Sequence, residues 1–469
     1  MSQAVYPNTE ALRNKDKTHF LHPWQHFDSM KQDGALVIAN SEGAYIYDND
    51  GQRYLDGLGG MWCVNVGYGR DELADVMAEQ ARKLPYASTF GDTTNPPAAE
   101  LAEKLAQLAP GSINHVIFSS SGSAANDSAI RLVHYYQGRR GKPEKKHIIS
   151  RKHAYHGSTY LGSSLSGAVD KDSDHFQYIN DIIHHISAPD VYRRPQGISI
   201  SGFCDDLVQE FIHKVAELGP ENVAAFVAEP ILGSGGVMVP PDGYLQRIHE
   251  HCQANDILFI ADEVVTAFGR LGHMFASKDY FGIQSDIILS AKGITSGYIP
   301  LAATLFSDEI FDVISAPDPD ACFAHGFTYS GHPVACAVAL KNIEIMERED
   351  LCGHVQRVGP YFAERLQTLR DLPLVGDVRG TGFMHCIEYV ADKQTKALLP
   401  DEIGISKRIA DACEARGVMV RPVWHLNILS PPLVMSKAQI DHLIDVLRDS
   451  VISVAADLDH NRSAGDTTT

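Results

Sequence analysis

Chemically useful side chains follow a series of short apolar segments along this chain. Two carboxylates, Glu229 and Asp262, come directly after two of the segments, and a lone lysine, Lys292, comes shortly after a third. Earlier in the chain, a Ser-Gly-Ser loop at 121–123 and the aromatic side chain of Tyr155 follow two further segments. Open α/β sheets place ligand sites at the carboxyl ends of their strands, so we expect these groups to meet in one crevice.

The Ser-Gly-Ser loop precedes a stretch that predicts a helix to about Gln137. Free backbone N–H groups at a helix start, beside small residues that allow close approach, form an anion site. The loop matches neither a Walker A sequence nor G-x-G-x-x-G, which weakens a nucleotide-binding interpretation. On spacing alone, a plain helix N-cap is the stronger alternative.

Asp262 and Lys292 also have ordinary interpretations when each is taken alone. A carboxylate at the end of a buried strand is compatible with a structural ion pair or a helix cap. A single lysine is most often a solvated side chain, although desolvated lysines form Schiff bases. Together, however, the phosphate cradle, aspartate, lysine and aromatic are what pyridoxal phosphate (PLP) needs. The lysine holds its aldehyde, the aspartate keeps its pyridine nitrogen protonated, the aromatic stacks on its ring and the helix start binds its phosphate.

The segments that position these groups alternate with stretches of helix length. Short, wholly apolar segments suit strands that are buried on both faces, and helical connections between them indicate a mostly parallel sheet and an α/β fold. The predicted strands cover 116–118, 147–149, 223–228, 257–261, 287–289 and 301–306.

We expect three units along the chain. Residues 1–75 form an N-terminal segment that packs with the small domain and carries a hairpin signal around Asn49-Asp-Gly51. Residues 76–330 form the large domain with the PLP site. Residues 331–469 form a smaller C-terminal α+β domain, with predicted helices at 335–347, about 355–369 and 436–458 and strands near 382–388 and 418–423.

The composition argues against several other functions. The 469 residues are 44% hydrophobic and 21% charged, which is ordinary for a soluble globular protein. A net charge of −19 argues against nucleic acid and anionic membrane surfaces as partners. No secretory signal or membrane-spanning segment is expected. The 22 histidines have no metal-binding spacing, so no metal site is predicted. Eight scattered cysteines without C-x-x-C spacing predict free thiols and a cytoplasmic location.

Four stretches of the sequence resemble one enzyme family. They are Ala228-Glu-Pro-Ile231, Phe259-Ile-Ala-Asp-Glu-Val264 with its continuation to Arg270, Ser290-Ala-Lys-Gly293, and His325-Gly-Phe-Thr-Tyr-Ser-Gly-His-Pro333. From Gly43 to about Leu447, the chain resembles the class III aminotransferases, and within them the ω-amino acid and amine:pyruvate transaminase group. The resemblance implies the PLP-dependent transferase fold type I, with a mostly parallel seven-stranded sheet and a smaller α+β domain.

The resemblance also implies a role for each matching residue. Lys292 would form the Schiff base with PLP and move the proton, and Asp262 would pair with the pyridine nitrogen. The other residues that would contact a cofactor are Ser121, Gly122, Ser123, Tyr155, Glu229, Val264 and, for the phosphate of the neighbouring subunit, Thr328. The residues that would line the substrate pocket are Trp62, Phe90 and Tyr155, with Arg421 to pair with a substrate carboxylate and swing out for an uncharged amine.

The implied activity is transfer of an amino group from an amine or ω-amino acid to pyruvate or a similar keto acid, in two half-reactions. The implied assembly is a homodimer, or a dimer of dimers, with shared active sites. A decarboxylating transaminase or an aminomutase on the same scaffold, a non-catalytic PLP-binding protein and a nucleotide-binding α/β protein stay open as alternatives.

Two positions depart from the family pattern. Ala124 stands where the family usually has glutamate, and Val265 stands where a glutamine often approaches the cofactor ring. We expect changed secondary contacts at these positions, with the lysine, the aspartate and the phosphate loop left in place.

Overall fold

The computed structural model describes residues 8–24, 27, 30, 34–167 and 175–465, with side chains to residue 458. The strands are β1 Ile38–Glu42, β2 Tyr45–Asp48, β3 Arg53–Asp56, β4 Ile113–Ser119, β5 His147–Arg151, β6 Ile183–Ile186, β7 Val223–Ala228, β8 Leu258–Asp262, β9 Ile287–Ser290, β10 Ala302–Ser307, β11 Val375–Thr381, β12 Met384–Tyr389, β13 Val418–Met419, β14 Arg421–Val423 and β15 Leu426–Leu429.

Helices connect and cover these strands. They are α1 Thr9–His19, α2 Gly59–Trp62, α3 Asp71–Lys83, α4 Pro96–Leu108, α5 Gly122–Arg139, α6 Tyr160–Leu165, α7 Ile200–Leu218, α8 Tyr244–Ala254, α9 Ala276–Asp279, α10 Asp308–Ile314, α11 Pro333–Arg348, α12 Leu351–Gln367, α13 Ile405–Glu414 and α14 Lys437–Gly465. Short 3₁₀ turns lie at Lys292–Ile294 and Asp401–Ile403. No helix among the described residues is long and apolar enough to span a membrane.

A seven-stranded sheet forms the centre of the fold, in the order β4-β10-β9-β8-β7-β5-β6. Only β10 runs antiparallel to its neighbours, so the prediction of a mostly parallel sheet in an α/β fold is confirmed. Each of the six predicted strands is present. The edge strand β6 was not predicted, because its Ile-His-His-Ile sequence neither alternates nor forms an apolar run.

Both faces of the sheet are covered, as its wholly apolar strands require. All six residues of β7 are buried. On one face, the Phe226 ring lies 5.1 Å from Phe211 of α7 and 5.5 Å from Phe259 of β8. On the other face, Val227 belongs to a second core with Val133 of α5. The central strands are therefore fixed between two helical layers, and their carboxyl ends make a rigid edge.

Two smaller four-stranded sheets lie outside this centre. The predicted hairpin is confirmed as the antiparallel pair β2–β3, with Gly51 at a φ of 87° in the turn. The predicted strand at 418–423 divides at Val420, because β13 pairs with β3 whereas β14 pairs with β15. This change of sheet places Arg421 at the start of β14. The division into units at residues 75 and 330 stays a prediction.

Candidate active site

A cavity of about 180 Å³ lies at the carboxyl ends of the parallel strands. Five strands each supply residues to it: β4 leads to Gly122 and Ser123, β5 to Tyr155 and His156, β7 to Glu229, β8 to Asp262 and β9 to Lys292. The expected convergence of these side chains in one crevice is thus what the structure shows. Val264 and Val265, from the loop after β8, also line the cavity.

The start of α5 forms the anion-binding end of the cavity. The Ser121 hydroxyl caps the helix by accepting a hydrogen bond from Ala124 N, at 3.2 Å. The first turn of any helix leaves N–H groups without intrahelical partners, and here Gly122 and Ser123 of that turn line the cavity. A Cβ atom at Gly122 would lie only 3.1 Å from Val264 Cγ1, so glycine keeps this approach open. The geometry suits a phosphate group.

Asp262 is the last residue of β8 and is buried. Its Oδ2 lies 2.7 Å from His156 Nδ1 and accepts a hydrogen bond from Asn126 Nδ2 at 3.0 Å, while its Oδ1 accepts one from Val264 N at 3.1 Å. Burial raises the pKa of Asp262, but the hydrogen bonds from His156, Asn126 and Val264 N outweigh it and hold the pKa below its ordinary value. The cavity therefore contains an ionised carboxylate.

Glu229 holds two backbone segments of the site in place. Its Oε1 accepts a hydrogen bond from Tyr155 N at 3.0 Å, and its Oε2 accepts one from Gly233 N at 2.9 Å. Burial raises the pKa of Glu229 above its ordinary value. Its carboxyl group thus fixes the loop that carries Tyr155, whose hydroxyl lies 3.0 Å from Ser158 Oγ.

Lys292 extends into the cavity from a strained backbone. Its φ is 45°, in the left-handed region that costs a side-chain-bearing residue about 1–3 kcal/mol. Burial lowers the pKa of Lys292, against the opposing effect of the Asp262 and Glu229 charges. A lysine with a lowered pKa has more of the neutral amine, which is the form that attacks carbonyl groups and accepts protons.

Trp62 and Arg421 form the wall beyond the lysine. The Trp62 ring is buried, and its centre lies 5.3 Å from Lys292 Nζ and 5.8 Å from Arg421 Cζ. Arg421 also contacts the Met61 sulfur, and burial lowers its pKa. Within the described part of the chain, no carboxylate forms an ion pair with Arg421. Its guanidinium is therefore available for an anionic ligand.

Phe90 and Thr328 lie outside the cavity of a single chain. Phe90 is 58% exposed, and its ring approaches Gly326, two residues before Thr328. Thr328 is exposed, and its carbonyl oxygen accepts a hydrogen bond from the Tyr86 hydroxyl at 3.0 Å. The exposed rings of Tyr86 and Tyr329 complete this aromatic surface. The substrate role of Phe90 and the phosphate role of Thr328 stay predictions.

Sequence reasoning missed three residues of the site: Asn126, His156 and Trp24. Asn126 lies one helical turn after Gly122, a spacing that places both on the same face of α5. His156 follows Tyr155 directly. The exposed Trp24 ring packs edge-on against Tyr155, with 6.1 Å between ring centres. The sequence around Trp24 did not indicate a role in the site, because the contact between Trp24 and Tyr155 depends on the tertiary fold.

The comparison with protein families decides the identity of the chain. Residues 28–451 match the family described as aminotransferase class-III. The chain belongs to the class III aminotransferases. It is accordingly an enzyme of amino-group transfer with PLP as cofactor, and these predictions are confirmed. The nucleotide-binding alternative is set aside.

Individual relatives of this class III aminotransferase cover almost its whole length. It is 42% identical over 458 residues to the putrescine–pyruvate aminotransferase of Pseudomonas aeruginosa, covering 97% of this chain and 99% of the relative. An (S)-enantioselective ω-transaminase from Thermomicrobium roseum superposes with a TM-score of 0.92 at 40% identity, over 95% and 99% of the two chains. A PMP-bound aminotransferase from Vibrio fluvialis gives 0.90 at 33% identity, over 95% and 98%.

The described residues fit PLP. A helix start with free N–H groups lines the cavity and would hold the phosphate, and glycine at 122 leaves room for it. The buried Asp262 supplies the anion that a protonated pyridine nitrogen needs, and Lys292 shares the cavity. Val265 lines the cavity with an apolar side chain, so it offers no hydrogen bond to the ring substituents. Ala124 is buried in the first turn of α5 and likewise offers no side-chain polar contact.

Proposed function

We propose that this enzyme transfers an amino group from a primary amine or ω-amino acid to pyruvate or a similar keto acid, with Lys292 as the residue that binds the cofactor. The observation that carries the proposal is the shared cavity of Lys292 and Asp262. Beyond them lies the guanidinium of Arg421, which forms no ion pair with a carboxylate in the described part of the chain. The putrescine–pyruvate activity named for the relative from Pseudomonas aeruginosa supports the choice of substrates.

Each of these cavity residues has a definite role in the reaction. When bound, PLP stores the amino group and delocalises the electron pair released at the donor carbon. Asp262 holds the proton on the pyridine nitrogen, because its Oδ1 accepts only one other hydrogen bond from the described residues. The N–H groups of Gly122 and Ser123 bind the phosphate, and Val264 and Tyr155 confine the ring. Lys292, in its neutral form, removes and returns the proton at the donor carbon.

Arg421 distinguishes the two substrates of the reaction. A keto acid carries a carboxylate, which the guanidinium binds through paired N–H donors. An amine donor without a carboxylate has no such group, and Arg421 then stays against Trp62 and Met61. One cavity can thus accept substrates of different charge in the two half-reactions.

A second copy of the chain completes the site in this proposal. Phe90 and Thr328 lie on an exposed aromatic surface rather than at the cavity. Exposed apolar patches of this kind mark interaction surfaces, and a homodimer or dimer of dimers would bring both residues to a neighbouring site.

All eight cysteines are free thiols, which supports the proposed cytoplasmic location.

The visible absorption spectrum of the purified holoenzyme tests the proposal. An amine donor should remove the band of the bound cofactor, and pyruvate should restore it with formation of alanine. Stoichiometric CO₂ release from the donor would instead support a decarboxylating transaminase. A rearranged amine without any need for pyruvate would support an aminomutase. A band that no donor in a broad panel removes would favour a non-catalytic PLP-binding protein and overturn the proposal.

A further inference from the structure

We propose that His156 is a positioning residue for the reaction: as a neutral side chain, it donates a hydrogen bond from Nδ1 to Asp262 and so keeps that carboxylate ionised and aimed at the cofactor ring. The inference rests on the proposed function, because it requires Asp262 to pair with the pyridine nitrogen. The sequence alone gave no reason to select His156 from the 22 histidines.

The contact is short and fully enclosed. His156 Nδ1 lies 2.7 Å from Asp262 Oδ2, and the exposed fractions of the two side chains are 0% and 3%. Asn126 of α5 donates a hydrogen bond to the same oxygen, at 3.0 Å. Oδ2 is therefore occupied by two donors. Oδ1 accepts a hydrogen bond from Val264 N alone among the residues that the structure describes, and it keeps a lone pair for a ligand. The arrangement sets the rotation of the carboxylate about its Cβ–Cγ bond.

The other imidazole nitrogen defines the protonation state. Among the described residues, His156 Nε2 is buried and has no hydrogen-bond partner. A charged imidazolium would leave an N–H donor unsatisfied there, which is a costly arrangement in a protein interior. A neutral ring with its proton on Nδ1 leaves only a lone pair at Nε2. The hydrogen-bond geometry thus favours a neutral donor, and Asp262 keeps its full negative charge for the pyridine nitrogen.

The backbone around His156 is built to hold this orientation. His156 N donates a hydrogen bond to Ser166 Oγ at 2.8 Å, which ties the loop to the end of α6. The preceding residue, Tyr155, is held by Glu229. The following residue, Gly157, has a φ of 133° and packs so closely on Ser123 that a Cβ atom would lie 2.5 Å from Ser123 Oγ. The imidazole therefore has little freedom to leave Asp262.

Three substitutions of His156 separate hydrogen bonding from packing. In His156→Asn, the amide nitrogen can occupy the place of Nδ1 and still donate to Asp262. In His156→Gln, the amide reaches the place of Nε2 and loses that contact. His156→Leu removes both nitrogens. His249→Leu is the matched control, because His249 is also buried but packs against Phe259 outside the cavity.

The readouts are kcat and KM for donor and pyruvate, the visible band of the bound cofactor, and the rate of cofactor release after dilution. Loss of a hydrogen bond to a charged group predicts a kcat about 10- to 100-fold lower in His156→Leu and His156→Gln, with KM values changed less than about threefold. The cofactor band should shift in both variants, and release should be faster. His156→Asn should stay within about fivefold of wild type, and His249→Leu should change only thermal stability.

Two results would overturn the role of His156. One is equal activity and an unshifted band in the asparagine, glutamine and leucine variants. The other is a glutamine variant that matches or exceeds the asparagine variant, which would assign the function to Nε2. If the leucine variant does not fold, the asparagine–glutamine comparison alone decides. A wild-type enzyme without a cofactor band or amino transfer would instead refute the proposed function itself.

Discussion

Replacing Arg421 with alanine should impair the half-reaction with pyruvate more than the half-reaction with an uncharged amine donor. The guanidinium lies 5.8 Å from the Trp62 ring and forms no ion pair with a carboxylate among the described residues. Pyruvate carries a carboxylate that this group can bind, whereas an amine such as a phenylalkyl amine does not. The substitution should therefore raise KM for pyruvate and leave KM for the uncharged donor almost unchanged.

The size of the effect follows from two opposing contributions. Hydrogen bonds from arginine to a carboxylate contribute about 1.5–3 kcal/mol. Binding pyruvate withdraws Arg421 from the Trp62 ring, and a cation–π contact of this kind is worth about 0.5–1 kcal/mol. The net loss in Arg421→Ala is therefore about 1–2 kcal/mol, which corresponds to a KM for pyruvate roughly 5- to 30-fold higher.

Steady-state kinetics of the holoenzyme give both KM values, with each substrate varied at saturation of the other. Arg421→Lys keeps the charge but loses the paired donors, so its KM for pyruvate should lie between those of wild type and Arg421→Ala. Arg357→Ala is the control, because Arg357 of α12 is exposed and pairs with Asp350, the N-cap residue of that helix. Equal increases in KM for pyruvate and the uncharged amine would refute the assignment of Arg421 to the carboxylate.

Three further predictions test the cofactor cradle, the core and the buried carboxylate. Gly122→Ala places a Cβ atom 3.1 Å from Val264, so equilibrium titration should show PLP affinity at least about tenfold lower; unchanged affinity would contradict the assigned phosphate cradle. Phe226→Ala should lower the free energy of unfolding by about 3–5 kcal/mol in urea, because its ring is fully buried; a loss below about 1 kcal/mol would contradict the packing. The lowered pKa of Asp262 means that its ionised form stabilises the fold above the ordinary pKa of 3.8, and this contribution is lost as pH falls through the lower folded-state value. Urea unfolding from pH 3 to 6 should thus show the pH-dependent advantage of wild type over Asp262→Asn shrinking towards low pH, and an advantage that grows there would show the opposite sign of shift.

Structural features that depend on the type of residue at a given position could be predicted from the sequence. The apolar strands were predictable because burial on both faces of a parallel sheet demands continuous apolar residues, as in β7. Asp262 and Glu229 were predictable because a carboxylate directly after such a strand must lie at its carboxyl end. The capping of α5 by Ser121 follows equally from local chemistry.

Other features depend on contacts between distant parts of the chain. The bond between His156 and Asp262 joins residues 106 positions apart, and neither the loop sequence nor the spacing indicates it. The short strand β6 exists because it pairs with β5, not because its own residues favour it. The division of a predicted strand at Val420 arises because its two halves pair with different sheets. The roles of Phe90 and Thr328 were assigned through family resemblance alone and stay predictions.

Chemical trapping can identify the residue that binds the cofactor, which we propose to be Lys292. Borohydride reduces the carbon–nitrogen double bond between a lysine and the cofactor aldehyde to a permanent single bond. Peptide mapping by mass spectrometry after reduction of the holoenzyme should place the cofactor mass on the peptide that contains Lys292, and reduction after treatment with an amine donor should leave that peptide unmodified. Cofactor attached to a different lysine, or attachment at Lys292 that no donor prevents, would contradict the account.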